Sequence, residues 1–201
     1  MQVSGQKIVV LGTGGTIAGT SAQAGDNIGY TAAQVRVEQL LTAVPGLQAL
    51  AGGALVAEQV AQIDSKDMDG EVWRTLALRC AHHLNDSEVR GVVITHGTDT
   101  LEETAWFLHE VLDAAKPVVL TCAMRPATAL TPDGPQNLLD AVATVLAPGA
   151  TGVLAVAAGE VHGARHVQKV HPYRVNAFSS GDAGPLGWVE ESVVRWACNS
   201  P

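Results

Sequence analysis

The chain has 201 residues and a formal charge of −8; 47% of its residues are hydrophobic, 16% charged and 4% aromatic. That is enough apolar side chain for one sizeable domain with a core of Val, Ala and Leu, and it excludes an intrinsically disordered chain. The acidic balance excludes a basic face for a phosphate backbone, so no nucleic-acid partner is expected, and no apolar run is long enough to span a membrane.

The first seven residues carry no basic n-region, and the apolar run that follows leads directly into Gly12-Thr13-Gly14-Gly15. This reads as a first strand rather than a signal peptide, and the expected location is cytoplasmic. Residues 7–11 (KIVVL) form that strand. Residues 13–31, rich in Gly, Ser, Thr and Ala, read as a functional loop. A helix is expected over 35–44, closed by Pro45-Gly46, then a strand over 54–60 and a helix over 67–84, acidic at its start and basic later. Residues 91–95 (GVVIT) are the clearest strand. The helix after them shows Leu101, Ala105, Leu108 and Leu112 on one face, and Asp99 with Glu102 has capping-box spacing. Residues 117–122 are a strand, 134–146 a helix, 147–151 a turn and 152–158 a further strand. Strands alternate with helices throughout. The fold class is therefore α/β: a mainly parallel sheet with helices on both faces, Rossmann- or flavodoxin-like, occupying 1–201 as one domain.

In such sheets the ligand crevice lies at the carboxyl ends of the strands. Three hydroxyl-rich segments fall there: 13–16, 64–66 and 95–100. Gly12-Thr13-Gly14-Gly15-Thr16 suggests a dinucleotide fingerprint, but that motif opens a helix directly, and here the loop stays polar through Gly19, Gly25 and Gly29. The competing reading makes Thr16 a nucleophile, which requires a neighbour to take its proton. Thr95-His96-Gly97-Thr98-Asp99-Thr100 would cap a helix, and a helix amino terminus also offers N–H groups to an oxyanion or carboxylate. Lys169, if desolvated beside Thr98, is suited to receive its proton. The seven histidines form no triad motif and read as surface or structural residues. Cys80, Cys122 and Cys198 have neither C-x-x-C nor zinc spacing and read as buried or incidental thiols; no metal is expected.

Two long segments carry a family resemblance. Residues 8–19 (IVVLGTGGTIAG) and 93–105 (VITHGTDTLEETA) closely resemble the two signatures of the bacterial-type asparaginase/glutaminase family. Asp64-Ser65-Lys66-Asp67-Met68, Ala123-Met124-Arg125-Pro126, residues 133–138 (DGPQNL) and Gly184-Pro185-Leu186-Gly187 follow in the family's order. The resemblance implies an amidohydrolase that needs no cofactor and converts L-asparagine to L-aspartate and ammonia, with glutamine as a side substrate. It assigns the attacking hydroxyl to Thr16, its orientation to Tyr30, and a second catalytic set to Thr98, Asp99 and Lys169. Ser65 would hold the substrate α-carboxylate and Asp99 its α-ammonium, with Lys66 beside them where several relatives carry glutamine. Ala123 would contact the leaving amide, and the N–H groups of Gly15 and Thr98 would form an oxyanion hole. Asp64 stands where many relatives have glycine. Cysteines paired in some secreted relatives are absent near Asp86 and Ala114. The family's smaller carboxyl-terminal domain, which lends an acidic residue to a partner subunit's site, is not expected within this chain; full-length relatives form dimers or tetramers. Two other functions remain open: a non-catalytic amino-acid-binding domain, and an amidase subunit of an amidotransferase.

Overall fold

A computed structural model describes residues 6–23 and 25–197. The reading of Cys198, and that of the first five residues, lies outside them. Side-chain alternation along the strands dictates the layering, because successive residues of a strand face opposite sides. Ile8 and Val10 enter one buried cluster while Val9 and Leu11 enter another; Val93 and Val119 join the first, and Val92, Ile94, Val118 and Leu120 the second. Both faces of the sheet are thus apolar and both need covering.

In chain order the strands are β1 (Lys7–Gly14), β2 (Leu55–Ile63), β3 (Val89–Thr95), β4 (Val118–Thr121), β5 (Val153–Ala157), β6 (Glu160–Gly163), β7 (Gln168–Lys169), β8 (Phe178–Ser179), β9 (Gly187–Glu190) and β10 (Val193–Trp196). The helices are α1 (Val37–Ala43), α2 (Leu47–Ala51), α3 (Gly70–Leu84), α4 (Leu101–Val111) and α5 (Gly134–Leu146). One sheet has the order β10-β9-β6-β5-β4-β3-β1-β2, and β7 pairs only with β8. From β2 to β5 all neighbours are parallel; β6, β9 and β10 extend the sheet antiparallel. Helices α1, α2 and α5 cover the first face through Val37, Leu40, Leu47, Ala51, Leu138 and Val142. Helices α3 and α4 cover the second through Leu76, Cys80, Leu101, Ala105 and Leu108. Burial pushes the Cys80 thiol up to about 12 and raises that of Cys122 as well, so both remain protonated core groups.

The expected strands and long helices are present, with shifted ends. β1 runs on to Gly14, and among the described residues the remainder of 13–31 contains a single 3-10 turn and a Thr20–Thr31 bridge. α3 begins at Gly70 because Asp69 caps it, its carboxylate accepting from Glu71 N at 3.0 Å and Val72 N at 2.9 Å. Residues 65–67 form a 3-10 turn instead. The Asp99–Glu102 capping box is not formed: Thr100 is the residue preceding α4, and both carboxylates turn towards Lys169. The antiparallel extension β6, β9 and β10 was not anticipated, since four-residue strands carrying charges and glycine show no alternation long enough to read. Among the described residues no helix is long and apolar enough to cross a membrane.

Chain order reverses at β1. The β2 crossover lies on one side of it and the β3 crossover on the other, so a crevice opens beyond the carboxyl ends of β1 and β3. Leu120 is fully buried in β4 at the sheet centre. Leu120→Ala is expected to lower the unfolding free energy by about 2–5 kcal/mol in urea titration, by lost transfer energy and an unfilled cavity.

Candidate active site

Backbone packing at the crevice comes first. Gly14 and Gly15 have φ of 108° and 77°, left-handed values that side chains disfavour. A Cβ on Gly15 would stand 2.3 Å from Gly97 Cα, and one on Gly97 would stand 2.4 Å from Ser65 Oγ. The loops leaving β1, β2 and β3 therefore nest without intervening side chains. Thr16 opens the 3-10 turn after β1 and is almost fully buried.

Thr16 Oγ1 lies 2.7 Å from the Tyr30 hydroxyl. The segment between them closes as a loop whose ends pair through Thr20 N to Thr31 O and Thr31 N to Thr20 O, both 2.9 Å. Asp26 accepts from Ile28 N at 3.0 Å and Gly29 N at 2.7 Å, and these bonds hold its carboxyl below the usual range. Gly19 leaves room for Tyr30, since a Cβ there would meet the ring at 2.9 Å.

A second cluster stands across the crevice. Lys169 Nζ donates to Thr98 Oγ1 and to Asp99 Oδ1, each at 2.7 Å. Asp99 N in turn donates to Ser65 Oγ at 3.1 Å, and Thr100 Oγ1 to Ser65 O at 2.8 Å. The Lys169 backbone N–H is held by the Glu102 carboxylate on the first turn of α4. Lys169 therefore reaches the site from the β7–β8 hairpin but is tied to the same helix start that carries Thr98 and Asp99.

A cleft of about 360 Å³ is lined by all five expected catalytic residues: Thr16, Tyr30, Thr98, Asp99 and Lys169. The expected binding residues are less uniform. Ser65 is buried beneath Asp99, and Ala123 is buried at the end of β4. Lys66 does not reach the cleft lining: its ammonium is held by Asp64 at 2.6 Å and Asp67 at 3.3 Å, and these carboxylates raise its pKa. Gly15 needs a correction as an oxyanion donor. Its N–H donates to Ile63 O at 2.9 Å, so its contribution is the close backbone approach instead.

Sequence reasoning missed Asn27, Ile28, Met124, Pro172 and Tyr173, which complete the lining. The Met124 wall is set by Asp133, which accepts from Met124 N and Arg125 N at 2.9 Å each. Arg125 Nη1 donates to Tyr173 O at 2.8 Å, and its guanidinium lies 4.2 Å from the Tyr173 ring centroid. The DGPQNL motif signalled the Asp133 position without its role; nothing local marked Tyr173.

His96 is structural. Its Nδ1 donates to Gly97 O at 2.7 Å, so Nε2 accepts from Thr104 Oγ1 at 3.0 Å, and that hydroxyl accepts from Trp73 Nε1 at 2.8 Å. Burial lowers its pKa to about 4, and does the same for His162.

A hydroxyl at one strand end and a Thr–Lys–Asp cluster at the next share one cleft. The family model described as "Asparaginase, N-terminal" matches residues 7–201. The chain is 43% identical over 191 residues to a glutaminase-asparaginase of Pseudomonas fluorescens biotype A, covering 94% of this chain and 52% of that protein. It is equally 43% identical over 191 residues to a protein of Haemophilus influenzae named probable L-asparaginase periplasmic, covering 94% and 53%. A crystal structure titled probable cytoplasmic L-asparaginase, from Campylobacter jejuni, superposes with a TM-score of 0.93 at 43% identity, covering 98% of this chain and 60% of that one. The chain belongs to the asparaginase family and corresponds to its amino-terminal domain. It spans about half the length of these curated relatives.

Two outcomes test this geometry. Gly15→Ala places a Cβ against the Gly97 backbone in a left-handed conformation, so both the unfolding free energy and ligand binding in the cleft should fall, by urea titration and calorimetry. For pH, an unfolded imidazole binds a proton as pH falls through about 6.5, whereas folded His96 and His162 do not until about 4. These two residues therefore drain stability as pH falls from about 6.5 towards 4, and the His96 ring resonances should not titrate above pH 5 by NMR.

Proposed function

We propose that this chain hydrolyses the side-chain amide of L-asparagine, giving L-aspartate and ammonia through an acyl-enzyme on Thr16, with L-glutamine as a slower substrate and without a cofactor. The observation that carries the reading is the single cleft shared by the Thr16–Tyr30 pair and the Thr98–Lys169–Asp99 cluster. Thr16 Oγ1 bonds to the amide carbon and its proton passes through the hydroxyl and ammonium network to the departing nitrogen, which leaves as ammonia. Water then adds to the ester, releasing the carboxylic acid and restoring the hydroxyl. With the Gly15 N–H engaged by Ile63 O, the Thr98 N–H is the remaining expected donor to the oxyanion. Asp99, half-exposed on the cleft, offers its second carboxylate oxygen to the substrate ammonium, and Ser65 backs it from below.

The one-methylene difference between asparagine and glutamine is worth only about 1–3 kcal/mol in a pocket, which keeps glutamine within reach as a substrate. The same reading takes residues 1–201 as one domain with a homo-oligomeric assembly of two or four copies, as the family resemblance implies, and a cytoplasmic location, which the absent cysteines and the name of the Campylobacter jejuni relative support. The relatives' names favour asparagine and glutamine over the amidotransferase alternative.

Ammonia release from L-asparagine tests the reading directly. Thr16→Ala should abolish turnover while keeping ligand binding, and Lys169→Met should lower kcat by roughly 10²–10⁴-fold, the usual contribution of a positioned proton-transfer group. Near-unchanged turnover in Thr16→Ala overturns the nucleophile. Binding of asparagine without any ammonia from the unsubstituted chain would favour the amino-acid-binding alternative.

A further inference from the structure

Lys169 is carried by β7, a two-residue strand that pairs only with the two-residue β8. Such a pair has little stability of its own. It is anchored at its flanks, where Val167, Ala177 and Phe178 are buried in the second core cluster. Lys169 stands between these anchors on a long flexible stem, and three hydrogen bonds settle it. Two are made by its ammonium, to Thr98 Oγ1 and Asp99 Oδ1 at 2.7 Å each. The third runs from its backbone N–H to the carboxylate of Glu102, a half-buried residue on the first turn of α4.

We propose that Glu102 is a positioning residue for the reaction: it holds the Lys169 backbone in register with the start of α4, so that the ammonium returns to Thr98 Oγ1 at every turnover. This rests on the amide-hydrolase reading above. In that reading Thr98 and Lys169 pass a proton and Asp99 shares its charge with the substrate ammonium, so both bonds of the lysine ammonium change as the reaction proceeds. The bond to Glu102 involves no reacting group and does not. Glu102 lines a separate groove with Trp73, Trp106 and Phe107 rather than the cleft of Thr16, so its effect on the reaction passes through Lys169. Proton transfer needs hydrogen-bond reach, and a misplacement of about 1 Å can cost about 10²-fold in rate. Glu103, exposed on the same helix turn, brings the same charge, but the Lys169 N–H is taken by Glu102.

The unsubstituted chain is assayed first for ammonia release from L-asparagine; if none appears, the amide-hydrolase reading has failed and this proposal goes with it. Where turnover is present, Glu102→Ala should lower kcat about 10- to 100-fold, less than Lys169→Met does, because a displaced lysine keeps part of its effect. The Kd for asparagine, measured by calorimetry in the turnover-free Thr16→Ala chain, should change by no more than about threefold on adding Glu102→Ala. Glu102→Gln keeps an acceptor oxygen at the same reach and should restore most of kcat, and Glu103→Ala should leave kcat unchanged. A double-mutant cycle decides the matter: in the Lys169→Met chain, adding Glu102→Ala should alter kcat by less than about twofold, since no ammonium is left to position. A further fall there as large as in the unsubstituted chain shows a purely structural residue and overturns the proposal. So does an undiminished kcat in Glu102→Ala, or a loss of asparagine binding as large as the loss of kcat. If Glu102→Ala does not fold, Glu102→Asp, whose carboxylate is one methylene shorter, carries the same expectations and the same refutations.

Discussion

Backbone stands against backbone where Gly15 meets Gly97, and the site depends on that contact. A methyl group on Gly15 would meet the Gly97 backbone at 2.3 Å and push the loops after β1 and β3 apart, and one on Gly97 would meet Ser65 of the β2 loop at 2.4 Å. Two strands of a parallel sheet lie about 4.8 Å apart, but loops with ordinary side chains splay outwards from their ends. Here the glycines let the loops converge, with Ser65 of the β2 loop filling the remaining space. Thr16 and Thr98 gain a common cleft for that reason, though 82 residues separate them.

The polar chemistry is arranged around this contact so that few groups are left to chance. Lys169 arrives on a two-residue strand outside the main sheet, a weak tether by itself. Its side chain is fixed by Thr98 and Asp99 and its backbone by Glu102, so the helix start that supplies two site residues also locates the third. Acidic groups at a helix amino terminus are favoured by the helix dipole, which makes the arrangement consistent with α4 as well as with the site. On the far wall, Asp133 and Arg125 join the Met124 loop to the Tyr173 loop. The Trp73–Thr104–His96 chain, buried at Thr104 and His96, ends on Gly97 O and stiffens the central loop from behind. His96 is thus a scaffold residue despite its place in the most specific motif of the chain.

Most of the parallel sheet was legible because short apolar β-branched runs leave little ambiguity: the strands expected at 7–11, 91–95 and 117–122 appear as β1, β3 and β4 with shifted ends. The catalytic candidates were legible for another reason, since their motifs fall at strand ends where parallel sheets bind ligands. Three readings failed for physical causes. Asp99 and Glu102 have the spacing of a helix cap, but the Lys169 backbone N–H, 67 residues away, takes the Glu102 carboxylate and the Lys169 ammonium takes that of Asp99. Gly15 N–H was assigned to an oxyanion, while β2 takes it as a neighbouring strand takes any free donor. Lys66 sits beside Ser65 in sequence, yet its flexible chain finds two local carboxylates first.

By itself the sequence determined the layer order of the domain, the identity of the hydroxyls and the family to which they belong, because each is written in local pattern: continuous β-branched runs, glycine at turns, contiguous motifs. Only tertiary structure decided which of those groups line the cleft. Asn27, Met124 and Tyr173 entered the cleft, and Lys66 stayed out, through contacts between segments distant in the chain or through competition among nearby charges. Such contacts depend on the direction a side chain takes once the sheet has closed, and local spacing carries no information about that direction.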